Sequence, residues 1–186
     1  MLAKKLGVKT GEAIWQAKLK APELVTVPPD FCKYLKFSRL ARQILYDYTN
    51  QIEPFGIDEN WADVTGSELL CGDGSAIANS IRLRMKEELG ITVSIGVSFN
   101  KIFAKLGSDM KKPDAVTLIE REDVENIVWK MPCADLFGVG RQTSQKLYSL
   151  GILTIGDIAK MPEHILKSHL GKNGITLQNY AKGIDF

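Results

Sequence analysis

Asp58 and Glu59 are neighbouring carboxylates in the stretch EPFGIDENWADVTGS. In a strand they would point to opposite faces, but at a hairpin tip the backbone turns and both can converge. Residues 52–57 read as an extended piece, 58–60 as a polar turn and 61–64 as the returning strand. Two converging carboxylates repel, so each resists ionising unless a cation lies between them. Mg²⁺ suits such a pair, because it takes carboxylate oxygens together with substrate phosphates. Two such ions can hold the attacking and leaving oxygens of a phosphoryl transfer in line. Taken alone, an Asp-Glu turn is equally the pattern of a solvated turn.

A second constellation is the lysine series in NKIFAKLGSDMKKP. At about 100° per residue, Lys101, Lys105 and Lys112 fall within roughly a 40° arc of one helix, while Ile102, Phe103, Leu106 and Met110 face elsewhere. A one-sided ammonium face suits a triphosphate or a nucleic-acid backbone, and also fits an ordinary solvated face. The third is LFGVGRQTSQKL, residues 136–147. Gly138, Val139 and Gly140 permit a tight turn, and the helix that follows begins with free N–H groups, an anion site. Arg141, Thr143 and Lys146 stand on its first turns. A second helix after Ile152 and Leu153 completes a helix–hairpin–helix unit, which grips phosphate without reading bases; an ordinary helix corner is the alternative.

Several elements must position these groups. Apolar spacing predicts a helix over 31–48, preceded by the helix-stopping Pro28-Pro29. Residues 11–20 can form one further helix. Asp73 is placed to cap a helix over 76–89 that Gly90 ends. Residues 91–99 alternate as a strand, a helix over 101–111 follows, and 115–119 is another short strand. Beyond Glu120 every segment reads as helical. The expectation is an α+β fold with antiparallel pairing up to about residue 119, then a small all-α part.

The chain has 186 residues, 45% of them apolar and 25% charged, with a net charge of +2. That composition fits an ordinary globular protein and excludes disorder as the main state. No apolar run reaches the roughly 18 residues of a membrane span, so no membrane partner is expected. Cys32, Cys71 and Cys133 are odd in number and form no CxxC pair, which fits a reducing, cytoplasmic setting rather than a disulfide framework. His164 and His169 are five apart, off the i, i+4 spacing of a helical zinc pair. Charge is segregated. Between residues 43 and 81 there is no Lys or Arg, whereas residues 1–20 carry five lysines against Glu12 alone. An acidic centre between basic flanks can hold divalent cations beside a polyanion.

Taken together, GVKTGEAIWQAK, VPPDFCKYLKFSR, EPFGIDENWADVTGS, GVSFNKIFAKLGSDMKKPDA and LFGVGRQTSQKLYSLGI resemble the Y-family, UmuC/DinB-like translesion DNA polymerases over essentially the whole chain. The resemblance implies partial fingers over 1–30, an incomplete palm over 31–119 and a helix–hairpin–helix thumb over 120–186. It implies a template-directed, error-prone polymerase acting in DNA repair and damage tolerance, with primer–template DNA and deoxynucleoside triphosphates as partners and two Mg²⁺ ions as cofactors.

Under this resemblance Asp58 and Glu59 are catalytic metal ligands. Lys112 reaches the incoming triphosphate, and so does Lys4, which stands where the family usually has an arginine. Lys for Arg keeps the charge but loses the bidentate fork. Lys101, Lys105 and residues Gly138, Val139, Gly140, Arg141, Thr143 and Lys146 meet DNA. Gly56 stands where serine is usual, and Asn60 where a small residue or cysteine is common.

The family's leading strand, with a further metal-binding aspartate, and its little-finger domain find no counterpart in these residues. The segment that docks a sliding clamp is expected beyond Phe186. The expectation is therefore a piece of such a polymerase, with an unpaired sheet edge and exposed apolar surface. Asp63 is a candidate replacement for the third carboxylate. The alternatives are a noncatalytic DNA-binding module and, less in keeping with the thumb-like half, a nuclease or nucleotide cyclase on a similar palm.

Overall fold

Helix α1 (Leu2–Lys5) and helix α2 (Ile14–Lys20) belong to the first of two compact units, which reaches Leu35; the second starts at Lys36. The computed structural model describes residues 2–185. In the first unit α2 is shorter than the expected helix because Gly11 takes a left-handed φ of 78° and turns the chain. Lys20 donates to Glu12 at 2.6 Å and to the Gly7 carbonyl at 3.2 Å, and Ala17 and Ala21 are buried. Leu6, Ile14, Trp15, Leu19, Val25 and Val27 are exposed, so this unit buries little apolar surface of its own.

Helix α3 (Phe31–Tyr46) contains the division between the units. Asp30 starts it by accepting the Lys33 N–H at 2.9 Å. Strands β1 (Ile52–Phe55) and β2 (Glu59–Ala62) form the expected antiparallel hairpin, with Phe55 opposite Glu59 and Glu53 opposite Trp61. A 3₁₀ turn and helix α4 (Glu68–Cys71) lead to helix α5 (Gly74–Leu89). Asp73 caps α5 by accepting the Ala76 N–H at 2.8 Å, and Gly90 ends it with a φ of 67°.

Strand β3 (Ser94–Ser98), helix α6 (Lys101–Met110) and strand β4 (Ala115–Ile119) follow. The expected strand over 91–99 is trimmed because the Ile91 N–H turns back to the Met85 carbonyl at the end of α5. The antiparallel expectation holds for β1 and β2 but is corrected for β3 and β4, which pair in parallel with Ser94 opposite Ala115. The reason is α6. A helix between two strands carries the chain back to its starting end, which makes a parallel crossover.

The β3–β4 sheet is packed on both faces. On one face Ile95 joins Ile44, Ile77, Ile81 and Met85 from α3 and α5. On the other, a Cβ added at Gly96 would lie 1.8 Å from the Ala104 carbonyl oxygen, so the backbones of α6 and β3 meet with no side chain between them. Helices α7 (Asp123–Asn126), α8 (Arg141–Ser149), α9 (Ile155–Lys160), α10 (Glu163–Leu170) and α11 (Lys172–Ala181) complete the chain. Their buried side chains, Leu147, Ile158, Leu166 and Leu177 among them, share one core with Ile102, Phe103 and Leu106 of α6 and Ile119 of β4. Among the described residues the two two-stranded sheets are not hydrogen-bonded to each other, so the four strands are all edge strands. Leu69 and Leu70 on α4 are 100% and 91% exposed.

Candidate functional site

The hairpin tip consists of Gly56, Ile57 and Asp58, with Glu59 as the first residue of β2. Gly56 has a φ of 76°, a conformation that only glycine adopts without strain, and this lets a three-residue turn close the hairpin. Asp58 is exposed and, among the described residues, has no hydrogen bond or ion pair. Glu59 is half-buried, and its Oε1 lies 3.1 Å from the Lys105 Nζ. The hairpin therefore brings Glu59 to the lysine helix while Asp58 stays open to solvent.

The lysines are less free than an ammonium face suggests. Lys105, only 18% exposed, also contacts Asp109 at 2.7 Å. Asp109 in turn lies 2.6 Å from Lys112. Glu59, Lys105, Asp109 and Lys112 thus form an alternating chain of charge. Burial alone would push the Asp109 carboxyl up, but the hydrogen bonds from Lys105 and Lys112 outweigh it and hold that carboxyl below the usual range. Burial works against the Lys105 ammonium too, and its bonds to Asp109 and Glu59 raise it above its ordinary value. Lys101 donates to Glu53 at 3.0 Å and lies 3.9 Å from Asp185.

Lys112 is not on the helix, contrary to the expected arc. Helix α6 stops at Met110, and Lys111 leaves it with φ −126° and ψ 89°. The bulk of Pro113 biases Lys112 toward extended backbone. The ion pair through Asp109 still ties Lys112 to the end of the helix. Lys4 lies exposed on α1, in the first unit.

Asp63 does not join Asp58 and Glu59. It sits just beyond the end of β2, five residues and at most about 16 Å of extended chain from Asp58. Its carboxylate accepts the Thr65 N–H at 3.0 Å, and Thr65 holds it below the usual range. Among the described residues no group of three or more His, Cys, Asp or Glu side chains gathers to hold a metal.

The turn before α8 carries the other candidates. Gly138 has a φ of 87°, and Gly140 is the N-cap of α8. Gly140 carries no capping side chain, so the N–H groups of Arg141, Gln142 and Thr143 begin the helix without intrahelical partners. Arg141 and Lys146 are exposed and, among the described residues, form no ion pair; Thr143 is half-buried.

An aromatic cluster that the sequence reading missed joins this turn to the hairpin. Phe137 meets Phe55 and Trp61 edge-on, with ring centroids 5.6 and 5.8 Å apart, and Tyr180 lies at 6.1 Å. The Trp61 Nε1–H donates to the Lys101 carbonyl at 3.0 Å. The only hint in the sequence was an aromatic beside each motif, Phe55 and Trp61 around the acids and Phe137 before the glycines. Their meeting is set by tertiary packing.

Comparison with known proteins covers nearly all of these residues. The chain matches the model of the impB/mucB/samB family over residues 1–109 and a model described as the thumb domain of DNA polymerase iota over 134–185. It is 54% identical to DNA polymerase IV of Acetivibrio thermocellus over 98% of this chain and 46% of that protein. It is 43% identical to DNA polymerase IV 1 of Bacillus subtilis over 98% of this chain and 44% of that protein. Among solved structures, DinB from Sulfolobus solfataricus superimposes with a TM-score of 0.87 at 31% identity, covering 97% of this chain and 54% of that one. The insertion ternary complex of Dbh DNA polymerase does so with a TM-score of 0.89 at 30% identity, covering 98% and 54%. The chain therefore spans about half the length of the relatives it matches. The family match across more than half of the chain, together with these relatives, leads to one assignment: the chain belongs to the impB/mucB/samB family, the Y-family, DinB-like group.

Proposed function

We propose that the chain is the palm and thumb, with part of the fingers, of a template-directed translesion DNA polymerase. The observation that carries this reading is the hairpin tip, where Glu59 meets a lysine-bearing helix and its neighbour Asp58 is exposed, in a chain so similar to proteins named DNA polymerase IV. Asp58 and Glu59 supply hard carboxylate oxygens, which fit Mg²⁺. One or two carboxylates, with water and substrate phosphate, are the usual ligands of a single magnesium ion. When bound there, the ion supplies neutralisation of phosphate charge and a more acidic primer hydroxyl.

The chain's own residues do the rest. Lys112 pairs with the triphosphate as a point charge, and for Lys4, in the first unit, the same role rests on the family resemblance alone. Lys101, the Gly138–Val139–Gly140 turn, Arg141, Thr143 and Lys146 hold the DNA backbone through ammonium, guanidinium and helix N-terminal N–H groups. The reading extends to error-prone synthesis in DNA damage tolerance and, for the longer protein, to a sliding clamp as partner.

One observation favours a second reading, a noncatalytic phosphate clamp. Among the described residues no third carboxylate joins the pair. Primer extension separates the two, measured with the chain alone and with a peptide carrying the family's aspartate-bearing strand, in Mg²⁺ and then Mn²⁺. Extension abolished by Asp58→Ala supports the polymerase. Salt-dependent duplex binding without extension in either arm supports the clamp. In both readings Arg141→Ala and Lys146→Ala each flatten the slope of log affinity against log salt by about 1. Unchanged slopes remove the α8 turn from the DNA interface.

A further inference from the structure

Lys105 is more enclosed than a lysine on an open, solvated face. Its side chain is only 18% exposed and its ammonium is shared between Glu59 at 3.1 Å and Asp109 at 2.7 Å. Asp58 and Glu59 are sequence neighbours, and in the absence of a cation their charges disfavour a closed hairpin tip. Among the described residues Lys105 is the cation that meets Glu59, and it comes from a helix that the Trp61 bond to the Lys101 carbonyl holds against the hairpin. A divalent cation on Glu59 competes with that ammonium for the same carboxylate. Asp109, one helical turn along, already accepts from Lys105 and offers it a second resting place.

We propose that Lys105 is a positioning residue, an internal counter-ion that holds Glu59 ready before a divalent cation binds and withdraws onto Asp109 when one does. The proposal rests on the reading of Asp58 and Glu59 as cation ligands. Lys112 shares Asp109, so the withdrawal also loosens the hold of Asp109 on Lys112. Cation binding at the hairpin thereby favours the release of a lysine toward a phosphate.

The test is Mn²⁺ binding to the chain without nucleotide or DNA, followed by the paramagnetic resonance of free Mn²⁺, with melting temperatures as a check on folding. Lys105→Met removes the competing charge and tightens binding about two- to fivefold, the scale of a partly exposed ion pair. Lys105→Arg keeps the charge and stays near the unsubstituted chain. Asp109→Asn removes the resting place, commits Lys105 to Glu59 and weakens binding. A side chain that merely braces the hairpin gives the opposite sign for Lys105→Met, because a loosened tip binds less well.

Asp58-dependent binding that is equal or weaker in Lys105→Met, with melting preserved, overturns the proposal and leaves the ligand reading standing. Should Lys105→Met not fold, Asp109→Asn decides alone: weaker binding supports the displacement and unchanged binding overturns it. Absent binding, or binding that Asp58→Ala leaves intact in every variant, overturns the ligand reading and this proposal with it.

Discussion

At the scale of single residues, the best-defined polar cap in the helical half is Asp157. Its carboxylate accepts the N–H groups of Leu153 at 3.0 Å and Thr154 at 2.8 Å, while the Thr154 hydroxyl accepts the Asp157 N–H at 3.1 Å. This reciprocal box starts α9, the helix that follows the α8 turn and its glycines. The Thr154 backbone hydrogen bond is the main cause that holds the Asp157 carboxyl below its ordinary range. A depressed carboxyl stabilises the fold above its unfolded value, near pH 4, and that contribution disappears as the pH falls through the folded value. Asp157→Ala is therefore expected to cost about 1 kcal/mol at pH 7. The gap between variant and parent closes as the pH is lowered through 4 toward 2. Urea midpoints across that range check it, and a gap independent of pH assigns the effect to packing instead of charge.

At the scale of elements, the hairpin and the α8 turn are held together by aromatic rings. Phe137 bridges Phe55 and Trp61 on the hairpin and Tyr180 on α11. Edge-on pairs add roughly 0.5–1.5 kcal/mol each beyond the area they bury. Phe137 is half-buried, so Phe137→Ala is expected to cost about 2–3 kcal/mol, below the full range for a core phenylalanine. It also exposes Trp61 and shifts its fluorescence to the red. A cost below about 0.5 kcal/mol with unshifted emission means the cluster does not position the hairpin.

These elements show what local sequence could and could not specify. The cap at Asp73, the Gly90 stop and the hairpin all depend on residues within a few positions of one another, and each was legible. The Lys105–Asp109 pair follows the i, i+4 rule and was equally within reach. Beyond reach were the parallel register of β3 and β4, the meeting of Phe137 with Trp61 and the Lys105–Glu59 contact. Each of these joins segments that only the packed core brings together.

At the scale of the second unit, the question is whether the change from mixed to all-helical structure near Glu120 is also a change of core. The buried side chains answer it. Phe103 is fully buried on α6, yet it belongs to the cluster that contains Leu147, Ile158, Leu166 and Leu177. Ile119, at the end of β4, lies in that cluster as well. The Asn100 side chain donates to the Gly183 carbonyl at 2.9 Å, and a Cβ added at Gly183 would come within 2.8 Å of the Phe103 ring. The helical half is thus built onto α6, and the same helix lies on β3 through Gly96. Phe103→Ala is expected to cost about 3–5 kcal/mol, a large share of the stability of an ordinary domain. The loss should pass in both directions. Hydrogen exchange should show β3 and β4 losing protection together with α9–α11, by similar factors, in one cooperative opening. Protection lost only beyond residue 120 would mean that the composition boundary is also a folding boundary, with α6 an adhesive surface between two cores instead of part of one. That distinction bears on the proposed site, because Lys105 and Asp109 stand on α6 and Phe137 stands in the helical half. In a single cooperative unit, the backbones that carry the hairpin acids, the lysine helix and the α8 turn open and close together.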